Sequence, residues 1–248
     1  MNIHLQTTLI KGITKGSSMK ITVSGLIRWA GLSAMVGGIV YVVVVGLFHQ
    51  PNLLSSTTTT QWVIVHTLAT AMCFFFLLGL TGIYARQAEA VGWLGLAGYL
   101  LYSLNWMLTA LFTSAEVLIL PHLATQAPTL ADGFLGAFTS SASAGTFGTL
   151  AQLWTLTGLL YILGGVLFGI ATFRAGILPR WAAALLVIGS ALAPAAALLP
   201  PEHMPKVAVP VGIALAWLGY ALWSERRAQG SEPVFGRASL EFSPTVAE

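Results

Sequence analysis

Long uncharged apolar runs alternate with short polar connectors along most of this chain. The clearest pair is Leu153 to Phe173 and Trp181 to Leu199, neither of which holds a charged side chain. At about 1.5 Å per helical residue, runs of roughly 20 residues reach across a hydrocarbon layer of roughly 30 Å. The connector between them carries Arg174 and Arg180 and turns the chain at one membrane face. The same pattern predicts spans at 29–48, 62–84, 93–112, 153–173, 181–199 and 207–223. The runs are continuous and do not alternate over about ten residues, so they read as helices and not as barrel strands. The expected fold is all-α, a polytopic bundle of six transmembrane helices.

The connectors complete the division of the chain. Segment 1–25 holds Lys11, Lys15 and Lys20 with no acidic partner and reads as a cytoplasmic leader before an uncleaved first span; Met19 offers an alternative start. Residues 49–61 are expected to form a polar loop and 85–92 a short turn. The longest connector, 113–148, contains Glu116 and Asp132 but no lysine or arginine. The third helix is expected to continue through Glu116 until Pro121 stops it. Residues 129–138 suit a short interfacial helix with Leu130, Phe134, Leu135 and Phe138 toward lipid. Pro194 should kink or open the fifth span. The transmembrane domain is thus placed at 26–227, and the polar segment 228–248 reads as a disordered tail.

Composition supports the same class: 8% of residues are charged and 56% hydrophobic, with a mean hydropathy of +0.81. No water-soluble surface can be built from that mixture. Cys73 stands alone inside an apolar run, which suits packing and excludes a disulfide framework or a cysteine-based zinc site. The net charge of +3 comes from basic residues scattered at span ends, so the expected partner is the lipid bilayer and not nucleic acid. With the amino terminus inside, the inner segments take ten of the eleven lysines and arginines and leave only Lys206 outside. The positive-inside rule therefore predicts both ends in the cytoplasm.

Candidate chemistry gathers in the outer half of this topology. His49, His66, Glu116 and His122 are residue types that ligate zinc, copper or iron, and they form the candidate metal set. No two of them stand four apart on one helix, and polar residues concentrate at interfaces in any case. A haem held by two histidines is weakly supported, because only His66 lies clearly within a span. An intramembrane serine protease of the rhomboid type is excluded: the serines at 140, 141 and 143 lie in an outer loop, and the sixth span has no histidine to act as base. No span has Asp, Glu, Lys or Arg in its middle, which argues against an ion-coupled pump. Asn105, Trp106 and Thr109 are the candidate contacts for a ligand inside the bundle. No cofactor is expected.

Small residues line up for close helix contact at Gly165 and Gly169, at Ala30, Ala34 and Gly38, and at Gly212 and Ala216. Such faces serve contacts within the chain, with a membrane-protein partner, or in a homo-oligomer. At Tyr84-Ala85-Arg86-Gln87 and Arg174-Ala175-Gly176-Ile177-Leu178-Pro179-Arg180-Trp181 the chain resembles a broad class of bacterial multi-pass membrane proteins. That resemblance implies a bacterial inner-membrane location and brings no activity, cofactor or catalytic residue. The expected function is a non-enzymatic accessory role or the binding of a small apolar ligand. The alternatives are a metal-dependent membrane enzyme or redox factor at the outer face, and a passive small-molecule transporter.

Overall fold

The computed structural model describes residues 22–138, 147–200 and 203–230, and every element among them is helical. Helix α1 (Val23–Val40) runs into a π turn at Tyr41–Val45. A single turn, α2 (Leu54–Thr57), precedes the long α3 (Thr60–Leu118). Two short helices, α4 (Leu120–Gln126) and α5 (Pro128–Gly136), lead to α6 (Gly148–Ala175). Then come α7 (Arg180–Ala191), 3₁₀ segments at Ala193–Leu198 and Met204–Ala208, and α8 (Val209–Gly230). Four helices are long and apolar enough to cross a membrane: Val23–Val45, Thr60–Leu118, Gly148–Ala175 and Met204–Ser224.

Helix α3 has 59 residues and, if straight, would extend roughly 90 Å. It folds back on itself instead. Gly92 adopts φ 56° and ψ −154°, a backbone region closed to residues with a Cβ, and the arms 60–91 and 93–118 lie antiparallel on either side of it. The pairing is visible along its length. Tyr84 stacks on Tyr99, Phe76 meets Trp106, Thr70 Oγ1 lies 2.9 Å from Thr113 Oγ1, and Trp62 reaches Glu116.

Each remaining helix packs antiparallel on its neighbour in sequence, and α8 returns to α1, closing a ring. Glycines set the spacing. A Cβ on Gly38 would strike the Gly212 carbonyl oxygen, one on Gly98 the Phe168 backbone nitrogen, and one on Gly164 would stand 2.5 Å from Tyr102 N. The interior is filled by Tyr41, Met72, Phe76, Tyr102, Trp106, Phe168, Leu186 and Leu215. Leu78, Leu100, Leu111, Leu159 and Ile188 lie on the outside, a surface suited to acyl chains.

One end of the ring, here the basic end, gathers the start of α1, the turn at Gly92, the 176–179 connector and the end of α8. Arg28 lies over the Trp223 ring there and Arg180 over Phe173. The opposite end is covered by α2, α4, α5 and the two 3₁₀ segments, and is called the capped end.

Several expectations are revised by this arrangement. The segment 85–91 is helical and the turn is concentrated at Gly92, because the arm keeps its backbone hydrogen bonds to the last residue before a glycine can reverse it. The 49–61 loop contains α2 and the start of α3, where the Thr59 side chain caps Trp62 N. Pro121 does not stop the third helix; that helix ends at Leu118, and Pro121 occupies the first turn of α4, where its missing N–H costs nothing. The face of 129–138 turns inward: Ala131 and Leu135 are buried against Trp62 and Leu120, and the Phe138 ring meets Phe112 and Trp154, while Leu130 stays exposed. Pro194 has its effect, since α7 stops at Ala191 and continues as a 3₁₀ helix. The helical stretch of the first run begins at Val23, and that of the last reaches Gly230. The leader up to residue 21, the serines at 140, 141 and 143, and the tail from residue 231 lie outside the described residues.

Gly38→Leu is expected to lower the unfolding temperature markedly, by overpacking worth about 1–3 kcal/mol against backbone that cannot move aside. Gly158→Ala, where a Cβ meets nothing within 4 Å, should leave stability unchanged or raise it by up to about 1 kcal/mol. Thermal unfolding of both variants in one detergent checks the pair.

Candidate functional site

The capped end brings together residues that lie far apart in sequence. Trp62 and His66 sit one turn apart on the first arm of α3, and Glu116 sits near the end of the second arm, which the Gly92 reversal returns to the same level. The Trp62 and His66 rings stack with centroids 3.9 Å apart and planes 25° apart. Trp62 Nε1 donates to the Glu116 backbone carbonyl at 3.0 Å. One indole therefore fixes both partners. His66 Nε2 then lies 3.5 Å from Glu116 Oε2, with the two residues only 2% and 7% exposed.

The tautomer of His66 follows from its other nitrogen. Nδ1 lies 2.9 Å from the Trp62 carbonyl oxygen, which can only accept, so Nδ1 carries a hydrogen. In the neutral ring Nε2 is then a bare lone pair, and it has no hydrogen-bond partner in the protein.

His49 completes the neighbourhood. Its ring centroid is 5.4 Å from that of His66. The loop carrying it is tied to the start of α3 by Gln61 Nε2 donating to the Phe48 carbonyl at 3.2 Å and Thr59 Oγ1 donating to Gln50 Oε1 at 3.1 Å. Burial holds the His49 imidazole below its ordinary value of 6.5, partly offset by a backbone hydrogen bond at Gln50. The folded chain thus favours neutral His49, and this group disfavours folding as the pH drops below 6.5, where the unfolded chain takes up the proton first. The roof over the group is apolar: Leu120 of α4 and Ala131 and Leu135 of α5 enclose Trp62.

His122 does not join them; it is exposed on α4. Among the described residues no group of three or more His, Cys, Asp or Glu side chains stands ready to hold a metal ion. The pair His66–Glu116 with His49 beside it is what the fold supplies.

A second polar group lies deeper in the bundle. Asn105 and Trp106 are buried, and Asn105 Nδ2 and Trp106 Nε1 have no hydrogen-bond partner. The Thr109 hydroxyl is spent on its own helix, donating to the Asn105 carbonyl at 2.9 Å. Around them stand Ser190, an embedded polar group of the fifth run, and three side chains that the sequence did not single out: Tyr102, and Tyr41 and Tyr161, whose oxygens are 3.5 Å apart. Gly165 makes room for this group, since a Cβ there would meet Ser190 Oγ. Trp106 lies edge-on to Tyr41, Tyr102 and Tyr161, so the space between the helices is filled by rings.

The chain was compared with protein-family models, with curated proteins and with solved structures, and none of them matches it.

The sequence places Trp62 at the interface one helical turn before His66, and that spacing was the signal for a role beside His66 that it was not given. Trp62→Phe keeps a ring on His66 but removes the donor to Glu116, leaving that carbonyl with one partner fewer. It is expected to cost about 1–3 kcal/mol, read as a lower unfolding temperature. Trp93→Phe, at a side chain 86% exposed, should leave that temperature unchanged.

Proposed function

We propose that this is a six-crossing protein of a bacterial inner membrane whose outer end binds a small ligand at the His66–Glu116 pair, in a non-enzymatic role. The observation that carries the binding reading is the buried His66 Nε2, without a hydrogen-bond partner and 3.5 Å from Glu116 Oε2. An imidazole lone pair and a carboxyl group are costly to bury side by side unless the carboxyl group carries a proton or something positive or hydrogen-donating is placed between them. In the membrane-embedded part of a bundle such groups are functional positions by default.

Six crossings follow if each arm of α3 counts as one and α7 with its 3₁₀ continuation as another. The antiparallel ring then puts the start of α1 and the end of α8 at one face. Arg28, Arg86, Arg174 and Arg180 lie toward that face, whereas Lys206 lies toward the capped end. This asymmetry supports a cytoplasmic basic end and an outer capped end. The aromatic filling around Trp106 weighs against a passage through the centre and so against the transporter reading.

Two measurements test this. On a Cys73→Ala background, Thr58→Cys and Gln126→Cys should react with an impermeant maleimide on intact cells, and Ala90→Cys only after permeabilisation. The reverse pattern would overturn the orientation, and labels of Thr58→Cys and Gln126→Cys on opposite sides would overturn the six crossings. Native mass spectrometry of the protein released from nanodiscs should show a discrete added mass that Glu116→Gln loses and Asp132→Asn keeps. An added mass that survives Glu116→Gln places the ligand elsewhere.

A further inference from the structure

We infer that the cleft at the basic end, between the 176–179 connector and the end of α8, binds the phosphate of an anionic phospholipid headgroup through Arg180. This site is separate from the His66–Glu116 pair and needs only that the basic end lies at a membrane face.

The helices that frame the cleft set its depth. Two of the four helices long and apolar enough to cross a membrane end beside it, one at Ala175 and the other at Ser224. Gly176, Ile177, Pro179 and Arg180 line one side, and Ala221 and Ser224 of α8 line the other. The cleft therefore opens where both apolar stretches give out, which is the level of lipid headgroups. Trp181, next to Arg180 and 77% exposed, is an aromatic side chain of the kind enriched there. The volume, about 500 Å³, falls within the range of roughly 300–1,000 Å³ found for small-molecule sites.

Arg180 is positioned by its neighbours. Gly176 closes α6 at φ 65°, and its lack of a side chain leaves room for the guanidinium: a Cβ there would stand 2.9 Å from Nη2 and 3.2 Å from Nε. On another side the Phe173 ring centroid is 6.0 Å from Cζ. Among the described residues no carboxylate pairs with Arg180 and no acceptor takes its N–H groups. It also opens α7, whose first turn holds no acidic residue. A planar fork of five donors matches two oxygens of a phosphate, and here that fork is held in place with its donors unused. Ser224 stands on the facing wall, its hydroxyl donating to the Ala221 carbonyl at 3.0 Å, where that hydrogen can turn to a bound phosphate oxygen.

Inorganic phosphate and a lipid phosphodiester offer Arg180 the same oxygens, and the rest of the lining separates them. Ile177, Pro179 and Ala221 place apolar surface beside the charge. That surface suits the glycerol and first methylenes of a lipid and gives nothing to a free ion. Basic pockets between membrane helices take anionic headgroups for this reason, whereas a zwitterionic headgroup brings its own cation and cancels part of the attraction.

The test is native mass spectrometry of delipidated protein in detergent, supplied with equal amounts of dioleoyl phosphatidylglycerol and dioleoyl phosphatidylcholine. Wild type should retain one phosphatidylglycerol per chain with a preference of about fivefold or more, the worth of one well-placed arginine near a membrane surface. Millimolar inorganic phosphate should leave that retention unchanged. Arg180→Gln should abolish the preference and Arg180→Lys, which keeps the charge without the fork, should weaken it. Ala221→Leu fills the cleft without changing charge and should lower retention. Arg174→Gln removes an equal charge just outside the cleft and should behave as wild type; Arg174 and Arg180 are both exposed, so neither change disturbs the core. The lipid is known by its mass and survives Glu116→Gln, which separates it from any ligand of the capped end. No preference in wild type, or equal losses in Arg174→Gln and Arg180→Gln, would overturn the site. Displacement of the lipid by inorganic phosphate would overturn the lipid and assign the cleft to the free ion.

Discussion

Helices in a lipid solvent gain nothing from hiding apolar surface against one another, because the acyl chains are as apolar as leucine. What holds such a bundle is close contact between backbones, and here that contact depends on glycine. The first and last helices touch at Gly38 and Gly212 and again at Gly31 and Gly219, so near that a single methyl group would strike a backbone atom of the other helix. Gly98 and Gly164 do the same between the second arm of α3 and α6. These contacts close the ring, and the closed ring fixes the internal volume. Trp106, Tyr102, Phe76 and Phe168 then fill it.

The reversal at Gly92 links this packing to the chemistry. It makes one apolar stretch into two neighbouring arms whose residues stay level along their length. The far ends of those arms are where Trp62 bonds to the Glu116 carbonyl. A change in register by one residue at the turn would rotate Glu116 away from His66 by about 100° around its helix. The geometry of the candidate site is therefore a consequence of the hairpin, and the cap formed by α4 and α5 protects it by burying Trp62 under Leu120, Ala131 and Leu135.

The helical membrane class was legible in the sequence because it rests on composition and run length, which need no partner to be read. Arg86 and Glu89 suggested that 85–92 was loop, yet charged side chains tolerate a helix end well, and the backbone reverses only where Gly92 permits positive φ. The inward turn of Leu135 was hidden for a different reason. An amphipathic face looks the same whether lipid or protein covers it, and only the position of Trp62 decides. His49, His66 and Glu116 were visible as residue types, while their meeting was not, since His66 and Glu116 belong to different arms of the hairpin. The separation of His122 from them was equally invisible, because it depends on which way α4 leaves the end of α3.

The two buried polar groups of the bundle face different physical problems. Around Trp106, donors and acceptors are mixed: Tyr102 and Ser190 carry hydroxyls that can turn, and Asn105 Nδ2 and Trp106 Nε1 are donors lying among them. Small rotations inside the protein can reduce that frustration. At the capped end no such rotation helps. His66 Nδ1 is committed to the Trp62 carbonyl and the ring is held by stacking, so Nε2 must present a lone pair to the Glu116 carboxyl group. Only a positive or hydrogen-donating species between the two relieves the opposition, and a proton on the Glu116 carboxyl group is one that the protein can supply itself. The fold thus keeps this pair close, dry and rigid at the capped end of the bundle, held there by the hairpin and by Trp62.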